Sequence, residues 1–132
     1  MYMNEFSYTP ALKNLDEVEE IHEGKTYHEA IVAFIQVEEV DEEKDVQSRE
    51  KKLVNHLKWT ARKNNTQRII LHSFAHLSES KASSEFTKDV FDLAEKRLQT
   101  AGFETAQTPF GYFLDLRINA PGYSLARIWA NL

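Results

Sequence analysis

A chain of 132 residues with 42% hydrophobic content is long enough for one globular core and too short for two ordinary domains, so a single domain over residues 1–132 is expected. With no cysteine and five histidines in no ligand spacing, disulfides and thiolate metal sites are excluded, and neither a metal nor a cofactor is expected. A formal charge of −5 argues against a broad basic surface that holds nucleic acid through counterion release, while leaving room for a small basic patch.

In chain order, the first strand candidate is Tyr2 to Tyr8, which leads into a turn at Pro10 and an acidic, peripheral segment from Asp16 to Glu23. Ala30-Ile31-Val32-Ala33-Phe34-Ile35-Gln36-Val37 is rich in β-branched residues and nearly continuously apolar, which predicts a central strand covered on both faces. Its apolar core, Ala30 to Ile35, is far shorter than the roughly 20 residues that span a bilayer. Met1 is not followed by a basic region and an apolar signal core, so a cytoplasmic protein without membrane contact is expected. After an acidic turn from Glu38 to Asp45, the positions Val46, Glu50, Leu53, Val54, Leu57 and Ala61 fall on one side of a helix, with Trp59 nearly opposite.

Arg68 to Ser73 reads as a second buried strand after a polar turn from Lys63 to Gln67, and a polar loop from Ser78 to Ser84 follows. Phe86, Val90, Leu93, Ala94, Leu98 and Ala101 predict an amphipathic helix with Ser83 or Ser84 as N-cap and Gly102 at the left-handed stop. Phe103 to Gln107 is a short strand candidate. Pro109-Phe110-Gly111 turns into a strand from Tyr112 to Asn119, and Pro121-Gly122 into a final strand near Leu125 to Asn131. The order strand–strand–helix–strand–helix–strand–strand–strand predicts an α/β domain with two helices against a mixed sheet.

Ser73-Phe74-Ala75-His76-Leu77-Ser78 directly follows a buried strand, and crevices in α/β sheets open at strand ends, which makes His76 the candidate catalytic residue. Its imidazole can hydrogen-bond a substrate or order the loop through a backbone carbonyl, and the sequence leaves both roles open. No Gly-x-Ser-x-Gly elbow, His-Glu-x-x-His pair or phosphate-binding Gly-rich loop accompanies it. In the strand after Gly111, Leu114, Leu116 and Ile118 share one face, while Asp115 and Arg117 share the other, where they suit a site but more often form a solvated pair. Trp59 on the polar side of its helix suits either an interface or packing beneath a loop.

Three blocks, Val32 to Asp41, Ser73 to Ser78 and Thr108-Pro109-Phe110-Gly111-Tyr112, in this order resemble the archaeal threonyl-tRNA synthetase editing domain. The resemblance runs from about Ala30 to the C-terminus. It implies the fold of D-aminoacyl-tRNA deacylases, a homodimer, and metal-free hydrolysis of serine misattached to threonine tRNA. By the same resemblance, Phe74, Ala75 and His76 line an aminoacyl pocket, with Pro109, Phe110, Gly111, Tyr112, Phe113, Leu114 and Arg127 as further substrate-binding positions. Two of these depart from the family: its functional lysine is Leu114 here, and a glutamate near the last strand aligns with Arg127, with a histidine before it aligning with Tyr123. Loss of one preorganised electrostatic group commonly costs about 10²- to 10³-fold in rate. The expectation is therefore a divergent, free-standing editing-domain homologue that binds the 3′ end of an aminoacyl-tRNA with impaired or altered deacylase activity. The alternative is a non-catalytic module acting as a dimer or as a partner of a threonyl-tRNA synthetase.

Overall fold

The apolar run beginning at Ala30 builds the middle of a five-stranded sheet in a computed structural model that describes all of residues 1–132. The strands are β1 (Tyr2–Lys13), β2 (Lys25–Ile35), β3 (Arg68–Ser73), β4 (Glu104–Gln107) and β5 (Tyr112–Asn119), in the spatial order β4-β3-β2-β1-β5. The β2–β3 and β3–β4 pairs are parallel, and each is bridged by a helix, α1 (Val46–Lys63) and α2 (Ser84–Thr100). β1 runs antiparallel to both β2 and β5. The expected mixed sheet with two helices is therefore present, and the central position of β2 explains why it is apolar on both faces.

Alternation along β2 and β3 divides the core in two. Ile31, Ala33, Ile69 and Leu71 point to the helices and meet Leu53, Val54, Leu57 and Ala61 of α1 and Val90, Phe91, Ala94 and Leu98 of α2. Val32 and Ile70 point the other way and pack with Met3, Phe6 and Tyr8 of β1, against which Leu114 and Leu116 of β5 also rest. Each fully buried large apolar side chain contributes about 1.5–3 kcal/mol, so both faces of the sheet are energetically committed. Met3 and Phe6 lie three apart yet join one cluster, and Glu29 opposite them adopts a left-handed φ of 51°. The β1–β2 pleat breaks there.

The helix signals hold in detail. Asp45 caps α1 by accepting from the Ser48 amide at 2.6 Å, and Ser83, of the two cap candidates, caps α2 by accepting from the Phe86 amide at 3.1 Å. Gly102 takes the left-handed conformation at φ 93° that closes α2. Trp59 is 45% exposed, stacked on His56, with the Lys63 ammonium 6.0 Å from its ring.

Three expectations change. β2 begins at Lys25 rather than Ala30, because Lys25 to Ile31 pair with β1, and it ends at Ile35, before Gln36-Val37. β1 continues through Pro10 to Lys13, because beyond Tyr8 it pairs with β5 alone and a residue without an N–H is tolerated on the vacated side. The register slips between Pro10 and Leu12, as in a β-bulge. The final strand near Leu125 to Asn131 does not form. After Pro121-Gly122 the chain makes a single 3-10 turn, Ser124–Ala126, whose Ala126 is fully buried. The Asn64 side chain at the end of α1 donates to the Leu125 carbonyl at 2.9 Å and accepts from the Tyr123 hydroxyl at 2.8 Å. That pair of bonds draws the segment away from the sheet.

Candidate functional site

Parallel strands β2, β3 and β4 end on the same side of the sheet, and the connections leaving them enclose a cleft of about 550 Å³. One wall is the loop after β3 carrying Phe74, Ala75 and His76; the other is Pro109 to Gly111 with the first residues of β5, Tyr112 to Leu114. A strand-end crevice is where sheets of this kind hold ligands. All the candidate site residues converge there except Arg127, which lies outside the cleft with its guanidinium 3.5 Å from the Ala120 carbonyl. Asp115 and Arg117 are exposed and form no ion pair with each other.

Each wall has its own support. Phe110 is anchored against Phe91 of α2, with ring centroids 6.2 Å apart, and the Lys88 ammonium stands 5.7 Å from the same ring. Gly111 adopts φ 85°, and a Cβ there would lie 2.8 Å from Val18, so only glycine fits the turn. The acidic segment after β1 is thus not merely peripheral. Tyr112 Oη donates to the Glu19 carbonyl at 2.6 Å and accepts from the Ile21 amide at 2.8 Å, and Asn14 and Leu15 line the cleft.

His76 is exposed and makes no hydrogen bond to the protein; its ring meets Phe74 edge-on at 5.0 Å. Of the two roles open to it, ordering the loop through a carbonyl is not the one it plays. The loop is ordered by Gln36, at the end of the central run, whose amide oxygen accepts from the Leu77 and Ser78 amides, both at 2.7 Å. Lys81 is the only side chain with a permanent charge in the cleft lining, and no carboxylate lines it. The site is suited to a neutral or negatively charged group.

Sequence reasoning overlooked His72 at the floor of the cleft. Alternation places it on the same face as Ile70, where it is 6% exposed and surrounded by Phe6, Phe34 and Phe74. Its Nδ1 shares a 2.9 Å hydrogen bond with Thr108 Oγ1, which ties β3 to the Pro109 turn. Burial pushes the imidazole down from 6.5 to about 4, so it is neutral at physiological pH. Because the unfolded imidazole takes up its proton at higher pH than the folded one, stability is intact above pH 6.5 and falls as pH drops towards about 4. The loss amounts to about 2–3 kcal/mol. In urea unfolding at a series of pH values, His72→Phe should flatten this part of the profile; an unchanged slope would remove His72 as its source.

A second cavity, of about 470 Å³, lies on the helix side of the sheet beside Leu53 and Leu57 and touches the cleft only at Ile35 to Val37 and Phe74. It is largely apolar, and its outer wall is the segment from Ile128 to Leu132. His56, Thr60 and Asn131 also line it, but none of the candidate residues except Phe74 does.

Fold and cleft together define a single mixed-sheet α/β domain with a crevice at its parallel strand ends. The chain belongs to the archaea-specific editing domain of threonyl-tRNA synthetase, whose family model matches residues 1–132. It is 31% identical over 118 residues to the threonine–tRNA ligase of Thermococcus onnurineus, which covers 89% of this chain and 19% of that protein. It is 31% identical over 124 residues to the threonine–tRNA ligase of Methanothrix thermoacetophila, covering 94% and 20%. The corresponding enzyme of Pyrococcus furiosus gives 30% over 118 residues, 89% and 19%. The chain spans about a fifth of the length of these relatives. Membership places it in a tRNA-related, proofreading-type family.

Proposed function

We propose that the cleft binds the aminoacylated 3′ end of a tRNA and that hydrolysis of the ester there is impaired or altered in specificity. The observation that carries this reading is the meeting, in one cleft, of Phe74-Ala75-His76 with Pro109 to Leu114, in a chain belonging to an editing-domain family. His76 has no hydrogen bond to the protein and is available to a substrate hydroxyl, amine or water. Lys81 offers the one cation for a phosphate or carbonyl oxygen, and Phe74 and Phe110 offer apolar surface to an adenine ring. Leu114 supplies neither a donor nor a charge to the oxyanion that ester hydrolysis develops. Slow turnover assisted by backbone amides and the RNA's own 2′-OH is the consequence.

The test is incubation with Ser-tRNA(Thr) and a panel of D-aminoacyl-tRNAs, alongside binding of an amide-linked seryl-adenosine that cannot be hydrolysed. Binding with slow or shifted hydrolysis is expected. Binding without any turnover would transfer the chain to the non-catalytic reading, and no binding at all would sink the proposal. A homodimer belongs to the same proposal, supported by two free sheet edges, β4 and β5, that a small open sheet must cover or pair. Light scattering of the same samples should give a dimer mass at micromolar concentration.

A further inference from the structure

Two backbone bonds pin the ends of the loop that carries His76: the Phe74 amide donates to the Ile35 carbonyl and the Ala82 amide to the Val37 carbonyl, both at 2.9 Å. Between these pins the His76 stretch is held by one side chain. Gln36 Oε1 accepts from the amides of Leu77 and Ser78, the two residues after His76, each at 2.7 Å. Gln36 Nε2 donates to the carbonyls of Ser78 at 2.9 Å and Ser80 at 2.7 Å. Further along, the Ser78 hydroxyl donates to Glu38 Oε1 and the Glu39 amide donates to the Ser80 hydroxyl, so the later half of the loop has other supports. His76 itself adds none.

We propose that Gln36 is the positioning residue of the cleft, its carboxamide fixing the turn after His76 and hence where Phe74 and His76 stand. The inference rests on the reading of the cleft as the aminoacyl-RNA site and gives that site its device for holding the imidazole in place. Only a primary amide meets all four partners, because two successive N–H groups demand one acceptor atom with two lone pairs and two carbonyls demand two donors. Asparagine is one methylene too short to reach the loop from the same backbone position. Glutamate keeps the acceptor but turns a second oxygen towards the Ser78 and Ser80 carbonyls, where the charged form repels both. Once protonated, that carboxyl regains one donor. Methionine keeps the length and offers no donor.

Gln36→Met and Gln36→Glu should each bind the amide-linked seryl-adenosine about tenfold or more weakly at neutral pH, the effect of losing two or more ordinary hydrogen bonds. In Gln36→Met the Leu77 and Ser78 amides should exchange with solvent faster, while amides in β3 and α2 keep their protection. The distinguishing readout is pH. The ratio of Gln36→Glu to wild-type affinity should recover as pH falls and the introduced carboxyl protonates, with Gln36→Met showing no recovery.

Wild-type affinity in the Gln36→Met protein, or unchanged exchange at its Leu77 and Ser78 amides, would overturn the proposal. So would a Gln36→Glu ratio that stays flat with pH, since that is the outcome of general loosening. If the wild type itself fails to bind the probe, the functional reading falls. The exchange data and the His76 ring signals in NMR, followed without ligand through the same two variants, then decide the role of Gln36 on their own.

Discussion

Leu114→Lys should accelerate hydrolysis of Ser-tRNA(Thr) by about 10²- to 10³-fold over the unaltered chain, the rate commonly attached to one preorganised electrostatic group. Leu114 stands near the start of β5, across from Pro10 in the register and on the cleft-lining face with Leu116. It is only partly buried, so a lysine there can lay its stem along the apolar surface and carry its ammonium into the opening. The cleft at present holds Lys81 as its one permanent cation and no carboxylate that would draw the new ammonium aside. Single-turnover hydrolysis at saturating protein is the measurement, with probe affinity determined in parallel. A variant that folds and binds the seryl-adenosine analogue but hydrolyses no faster would show that position 114 is not what limits this chain. Acceleration confined to one aminoacyl ester would show that the rest of the pocket retains its selectivity.

The architecture was legible wherever local pattern and global packing agree. The continuous apolar run at Ala30 names the central strand because only a strand covered on both faces can bury every side chain. Gly102 marks the end of α2 because a left-handed residue is needed there. The pattern failed where a partner decides the outcome. Pro10 reads as a strand end, yet β1 passes through it because one of its neighbours has already left. Leu125 to Asn131 reads as a strand, yet Asn64, over sixty residues away, captures the Leu125 carbonyl and the Tyr123 hydroxyl. Nothing near Leu125 in sequence announces that competition.

The site was half legible for the same reason. Resemblance put Phe74 to His76 and Pro109 to Leu114 in one pocket, and the strand-end geometry brings them together. His72 could have been found, since alternation sets it apart from Ile69 and Leu71 and leaves a buried imidazole to be satisfied. Thr108 as its partner could not, because that contact depends on the register of β4 against β3. Gln36 carried a faint signal as the one polar residue near the end of an apolar run, without indication of what its amide holds. Arg127 was drawn in by alignment across short loops, and the 3-10 turn before it carries it elsewhere.

Glu50 illustrates a different kind of illegibility, with a large energetic consequence. It falls on the apolar stripe of α1, and there a carboxylate is 1% exposed at the α1–α2 contact. The Arg97 guanidinium of α2 donates to its Oε1 at 2.5 Å, and Oε2 has no partner. Removing the cation leaves a buried charge uncompensated, so Arg97→Met should lower unfolding free energy by about 3–5 kcal/mol. The lower end of that range is expected, because Arg97 is about half exposed and water can reach the gap it leaves. Glu50→Met is a milder change: the exposed Arg97 end returns to water, and an apolar side chain of similar length joins Leu53 and Leu57. The double replacement should lie within about 1 kcal/mol of the original or above it, as found when buried ion pairs give way to apolar packing. Urea unfolding of the four proteins gives the comparison. Equal, small losses for the two single variants would mean that Glu50 is solvated and that the helix–helix contact does not depend on this pair.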